Sequence, residues 1–346
     1  MGNCGGMTVA TNGGMAKELN TSVVYMGLKL RHPFVAGASP LSAKLDTVRR
    51  LEDGGAAAIV LHSLFEEQIA EARTGRIGEM DPVDPRFSEL LLAYPNYTDY
   101  PFTPDQYLEH IRKVKAATAI PVIASLNGTS NGAWLKWGEL IEQAGADGLE
   151  VNFYQVVADS DVSGLAIETS IRDAVSDLKR SLRIPVSVKL SPFFTAFANV
   201  AARLDAAKVD GLVMFNRFFQ HDIEVNTLHE TSTSRLSSNA ELLLRLHWLA
   251  ALHGHVRASL AVSGGIARPD DGVKAILAGA DVVQTVSGLF RNGPAFFGSL
   301  LAGLNAWMES HELSSVSEAR GRVQFGAATD HSAFERAAYL HTLNRK

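Results

Sequence analysis

One cysteine, Cys4, stands among 346 residues. A lone thiol cannot form an intramolecular disulfide, a thiolate zinc site or an iron–sulfur cluster. Long apolar runs are missing too: none approaches the roughly 18 residues of a membrane span, and no charged and apolar pair of segments marks a secretory signal. Neither sign of charge dominates, since 32 Lys and Arg face 37 Asp and Glu for a net charge of −5. That balance gives nucleic acid no basic footprint. No Gly-x-Gly-x-x-Gly follows a strand-like run, which excludes a dinucleotide domain of that type. No Pro/Ser-rich linker or shift of composition divides the chain. These absences predict a cytoplasmic protein with one folded domain, acting on a small molecule and engaging neither nucleic acid nor membrane.

The first residues carry little pattern. Met1-Gly2-Asn3-Cys4-Gly5-Gly6 resembles a lipidated terminus, but Gly6 stands where the myristoylation pattern has Ser or Thr. Glycine-rich sequence continues through Gly14, with Met15 nearer the functional start. Residues 1–20 are therefore expected to form a flexible tail, leaving 21–346 as a single domain.

What is present is an alternation. Eight short apolar or β-branched runs read as strands: Pro33–Ser39, Ala56–Ser63, Pro121–Gly128, Gly148–Tyr154, Pro185–Pro192, Gly211–Asn216, Ser259–Gly265 and Val282–Leu289. Runs without polar alternation suit parallel strands buried on both faces. Helical periodicity fills gaps between them, as in Ala43–Asp53, Pro104–Ala116, Ala133–Ala144, Thr195–Lys208 and Asp270–Ala278. Strict β–α alternation predicts an α/β fold, a (β/α)8 TIM barrel, whose chemistry sits at the C-terminal strand ends. Thr21–Met26 and Leu28–His32 read as a hairpin closing the barrel bottom, with Gly27 at its turn. Long loops follow strand two (Leu64–Thr103, with a helical stretch Phe65–Arg73) and strand six (Gln220–Asn239), a length typical of lids or substrate-covering segments. The apolar pattern of Phe325, Phe334, Tyr339 and Leu340 predicts a C-terminal segment packed on the barrel or on a second subunit.

Chemistry gathers at the predicted strand ends. Lys189 lies in the apolar run Val186-Ser187-Val188-Lys189-Leu190, where a cation needs an anionic partner or a specific task. It could form a Schiff base on a phosphorylated substrate, as in barrel aldolases, or hold electron-rich atoms of a flavin ring. Asn127, Asn152 and Asn216 close strands three, four and six, a ring of amides suited to a planar heterocycle. Glu150 shares the inward face of Asn152. Ser263-Gly264-Gly265 and Ser287-Gly288 follow strands seven and eight, where barrels commonly bind phosphate. Ala38 and Ser39 end strand one with backbone and hydroxyl contacts. Flavin mononucleotide (FMN) is the ligand that best matches this set, and nothing in it suggests a metal site.

In order, these pieces resemble the dihydroorotate dehydrogenase family of FMN barrels from Ser22 to about Trp307. The matching segments are Tyr25-Met26-Gly27-Leu28-Lys29-Leu30, Pro33-Phe34, Ala38-Ser39, Glu150-Val151-Asn152, Val188-Lys189-Leu190, Leu212–Asn216, Ser263–Ile266 and Gly279–Gln284. The resemblance implies that Ala38, Ser39, Asn152, Lys189, Gly264, Gly265, Ser287 and Gly288 contact FMN. It places Asn216 near the flavin and substrate and implies a homodimer; Asn127, from its strand-end position, is the other candidate substrate contact.

Departures from the family pattern are specific. Members that oxidise dihydroorotate carry a Cys or Ser base in Asn-x-x-(Cys/Ser)-Pro-Asn; this chain has Asn152-Phe153-Tyr154-Gln155-Val156-Val157. His62 stands where strand two usually supplies a lysine. The flavin site reads as intact and the orotate site does not. Tyr154, better as an acid than as a base, and His62, which titrates near neutrality, become the candidate proton-transfer groups beside Lys189. Electrons must pass to a small acceptor at the same site or to a separate protein. The other readings are a Schiff-base lyase or aldolase using Lys189 and a non-catalytic flavin-binding barrel.

Overall fold

Chain direction and pleat decide the architecture. The computed structural model describes residues 19–69, 102–128, 131–155, 157–217, 221–232, 236–323 and 331–344. A hairpin comes first, β1 (Val23–Tyr25) and β2 (Leu28–Leu30). Met26 and Gly27 at its turn both hold positive φ, 52° and 80°, the geometry whose twist suits a two-residue hairpin loop.

Eight parallel strands then close on one another in chain order. They are β3 (Phe34–Ala36), β4 (Ile59–Phe65), β5 (Val122–Gly128), β6 (Gly148–Phe153), β7 (Val186–Leu190), β8 (Gly211–Met214), β11 (Ser259–Ser263) and β12 (Val282–Thr285). Between β8 and β11, β9 (His221–Glu224) and β10 (His229–Ser232) pair as an antiparallel hairpin within the expected excursion. The (β/α)8 barrel with its N-terminal hairpin is the observed fold. Outer helices start at local signals in the sequence. Thr103 and Gln106 form a capping box at the start of Pro104–Ala117, whose first residue is a proline, and Ser163 caps Gly164–Ser181.

The barrel floor is apolar. Tyr25, Met26 and Leu30 pack with Val35, Val60, Ile123, Val213, Ala261 and Val282 in one buried cluster. The Met26 N–H donates to Ser259 Oγ at 3.0 Å, tying the hairpin to the strand above it. Three aspartates recur at strand starts. Asp147, Asp210 and Asp281 immediately precede β6, β8 and β12, and their carboxylates accept the N–H of Val122, Val186 and Leu260, each at 2.7 Å. Each also pairs with a cation, namely Lys115, Lys179 and Arg320. An otherwise orphaned backbone donor is thereby satisfied beside a neighbouring strand.

Four expectations change or lie beyond the described residues. The eighth strand stops at Thr285 instead of Leu289, and Ser287–Asn292 forms a short helix. A short apolar run does not distinguish strand from helix by periodicity, which accounts for the difference. On the C-terminal helix His331–Leu343, Tyr339 and Leu340 are 68% and 59% exposed, so they do not pack on the barrel. Phe325 and the Phe334 side chain lie outside the described residues. After β4, residues 66–69 are helical. The rest of that loop through residue 101 is outside the described residues, as are residues 1–18 with the tail and Cys4.

Candidate functional site

Register builds the site. Asn127, Asn152 and Lys189 are successive Cα partners across β5, β6 and β7. One layer deeper, Ser125, Glu150 and Ser187 are likewise partners. Residues two apart share a face of a strand, so both layers line the same wall of the barrel. Asn216 follows β8, and its amide nitrogen donates to Asn152 Oδ1. The predicted amides and the lysine thus meet at the C-terminal end of the barrel.

Lys189 and Glu150 are buried. Lys189 Nζ donates to Glu150 Oε1 at 3.4 Å, while Gln284 Nε2 donates to Oε2 at 2.6 Å. Both oxygens of the buried carboxylate are therefore occupied, as such a group requires. Sequence reading did not single out Gln284. Its signal is an amide inside the apolar run Val282-Val283-Gln284-Thr285. Gln284 Oε1 and Thr285 Oγ1 are buried and make no hydrogen bond to the protein, whereas the Ser187 hydroxyl lies beside the Tyr25 phenol of the floor.

Gly264 and Gly265, after β11, have φ of 91° and 83°, a region that disfavours side chains. The Gly265 N–H donates to Ser237 Oγ at 3.1 Å. Ser237 reaches Ser287 Oγ through its N–H at 3.0 Å and its hydroxyl at 2.9 Å. Arg291 Nη1 holds the Ser237 carbonyl at 2.8 Å. The predicted phosphate residues Gly264, Gly265, Ser287 and Gly288 are drawn together through Ser237, a residue not anticipated from sequence. Its only sequence signal is the Ser/Thr-rich stretch after strand six. On the adjoining side, the Gly37 N–H donates to Thr285 O at 3.1 Å, bringing Ala38 and buried Ser39 beside the end of β12.

The two proton-transfer candidates sit differently. Between the pairs Val60–Ile123 and Ser63–Ser125, two residues of β4, Leu61 and His62, stand opposite the single Ala124 of β5. His62 lies in this bulge, half-buried, with its N–H donating to Ser42 Oγ at 2.6 Å. Its neighbour His110 faces Ser42 O at 2.7 Å from the outer helix. Burial, and then the proximity of His110, push the His62 pKa down and favour neutral imidazole. Tyr154 follows β6 directly. Phe153 stacks outward on Trp134 at 4.6 Å, so alternation leaves half-buried Tyr154 on the Asn152 side. Gln155, in the family's base position, is exposed.

Chemically, amides beside an ammonium group can hold a planar heterocycle rich in donors and acceptors, and a turn with positive φ can hold an anion through backbone N–H groups. Among the described residues no group of acidic, histidine or cysteine side chains is arranged for a metal. No helix there is long and apolar enough to cross a membrane.

A closed parallel barrel with polar residues gathered at its C-terminal strand ends is the class of protein that the fold defines. The chain belongs to the dihydroorotate dehydrogenase family, whose model matches residues 103–308. The catalytic subunit of dihydroorotate dehydrogenase B (NAD(+)) from Thermoplasma acidophilum is 24% identical over 312 residues, covering 88% of this chain and 98% of the relative. The NAD-dependent dihydropyrimidine dehydrogenase subunit PreA of Escherichia coli is 22% identical over 329 residues, with 89% and 77% covered. A dihydroorotate dehydrogenase (quinone) from Brucella melitensis is 31% identical over 146 residues, 41% of this chain and 40% of its own.

Proposed function

We propose that the protein is an FMN-dependent oxidoreductase that moves hydride between flavin and a C–C bond of a pyrimidine-like or carbonyl-activated substrate. The observation carrying this reading is the convergence of Asn127, Asn152, Lys189 and Asn216 at the barrel mouth that also holds the Gly264–Gly265 turn. The residues fit the cofactor: Gln284 Oε1, inside the barrel beside Glu150, is buried without a protein partner, and a polar planar ligand can satisfy it. Relatives named for dihydroorotate and dihydropyrimidine oxidation support the substrate class.

Ala38, Ser39, Asn152 and Lys189 would hold the ring, with Gly264, Gly265, Ser287 and Gly288 at the phosphate. FMN, when bound, supplies the hydride acceptor or donor. Lys189, oriented by Glu150, presents positive charge to electron-rich ring atoms. Asn127 and Asn216 bind and orient the substrate's amide-like edge. The Tyr154 phenol carries the proton at the substrate carbon, because Gln155 has no group able to do so. His62, in the β4 bulge, is assigned a supporting role. A Schiff-base role for Lys189 would need an amine free to attack, whereas this lysine faces a carboxylate. Within this reading the protein is a cytoplasmic homodimer passing electrons to a small acceptor or a separate protein.

The visible absorption spectrum of the purified protein, repeated on the supernatant after denaturation, tests the proposal. Flavin bands released on denaturation, then bleached anaerobically by dihydroorotate or another dihydropyrimidine, are the expected result. A colourless protein that refuses added FMN overturns it. Bound flavin that no pyrimidine or enone substrate reduces or reoxidises leaves the non-catalytic barrel instead.

A further inference from the structure

Arg245 is a buried cation that the proposed chemistry leaves unused. It lies on the helix Leu242–Leu252 and is only 6% exposed. Its guanidinium donates to two backbone carbonyls, Nε to Ser263 O and Nη1 to Glu241 O. Among the described residues it pairs with no carboxylate. Glu241, one turn earlier, directs Oε2 to the Ser238 N–H at 2.6 Å, and its field offsets only part of the charge. Buried arginines are ordinarily matched by an anion, since an unmatched charge in a poorly solvated site is costly. Burial accordingly pushes the Arg245 pKa down from its usual value.

The position of the guanidinium indicates where that anion belongs. Nη2 lies 3.0 Å from the point where a side chain would begin at Gly264. Nε holds the carbonyl of Ser263, so the arginine grips the glycine turn at its first residue. The turn continues into Gly265, whose N–H donates to Ser237 Oγ, and the Ser237 hydroxyl donates in turn to Ser287 Oγ.

We infer that Arg245 is the positioning cation of the phosphate cradle, holding the Gly264–Gly265 turn and setting a positive potential there that selects a phosphorylated flavin over its unphosphorylated form. This inference rests on the flavin reading above and deepens it. A monoester dianion is favoured by a nearby desolvated charge far more than by the same charge in water. The fixed guanidinium fork also suits a structural grip on a carbonyl, which a mobile ammonium reproduces less well.

The test is flavin-fluorescence titration of cofactor-stripped protein with FMN and with riboflavin, for the unaltered chain, Arg245→Gln and Arg245→Lys. The unaltered protein should prefer FMN. Arg245→Gln should reduce that preference about tenfold or more while riboflavin affinity stays within about threefold. Arg245→Lys, which keeps the charge, should retain most of the preference and the salt sensitivity of FMN binding. An unchanged FMN-to-riboflavin ratio in Arg245→Gln overturns the inference and leaves the flavin reading standing. Should Arg245→Gln fail to fold, the lysine variant decides: loss of both the preference and its salt dependence there overturns the charge role. Failure of the unaltered protein to bind either flavin overturns the functional reading itself.

Discussion

At the N-terminal end of the barrel, Tyr25, Met26 and Leu30 fill the space between Val35, Val60, Ile123, Val213, Ala261 and Val282. Farther toward the C-terminal end, β5 and β12 present Ser125, Asn127 and Gln284, and β6 and β7 contribute Glu150, Asn152 and Lys189. The change takes two residues on a strand: β5 passes from Ile123 to Ser125 to Asn127. At the floor, burial and shape are sufficient, and similar apolar sets would serve. At the mouth every buried group needs a specific partner, and Glu150 finds its two on strands far away in sequence. Stability and chemistry are thus separated along the strand axis.

Several substitutions would break or sharpen that separation. The largest effect is expected for Lys189→Ala, which strands the Glu150 carboxylate and should cost about 3–5 kcal/mol in denaturant unfolding. Adding Glu150→Leu should recover most of that stability without restoring flavin chemistry. Failure of the double variant to recover would mean that the pair does not behave as an isolated unit. Next, Tyr154→Phe should lower turnover about a hundredfold with unfolding unchanged, a test of its proton role by steady-state kinetics. Met26→Ala, at the floor, should lose about 2–4 kcal/mol of stability while FMN affinity stays within about twofold. A matching loss of FMN affinity would show the two ends to be coupled.

Acid provides a smaller perturbation. Burial, then the Arg31 charge, hold the His32 pKa down at about 4, and the Phe34 N–H donates to Nδ1 at 3.2 Å. The unfolded chain takes up this proton near pH 6.5, so the contribution is complete above that value. It declines as pH falls toward 4, with about 2 kcal/mol gone by pH 5. His32→Gln should flatten that part of the melting-temperature profile. The smallest effect is expected for His62→Gln, with turnover changed less than about threefold. A hundredfold loss there would return the proton role to the bulge.

The alternation of strand and helix was legible because each buried strand is a compact apolar run with its own start and stop signals. Lys189 and the glycines of the 264–265 turn were legible for the opposite reason, being out of place in such runs. The bulge at His62 was not, since it exists only in the pairing of β4 with β5. Nor were the partners of Glu150 and the place of Ser237, which depend on closing the barrel across long stretches of chain. Arg245 is the single cation in the apolar run Leu242–Leu252, and its role is visible only once its carbonyl partners are seen.

Asp147, Asp210 and Asp281 have a consequence beyond the floor they occupy. A closed barrel fixes the sum of its strand offsets, so an error in one pairing must be absorbed by others. A slip of one residue would also turn the inward row of a strand outward, sending Asn152 or Lys189 into the helical layer. Each aspartate recognises one N–H on the preceding strand and so accepts a single offset. These carboxylates thus mark the native offset of three strand pairs at the end opposite the ligand-facing residues.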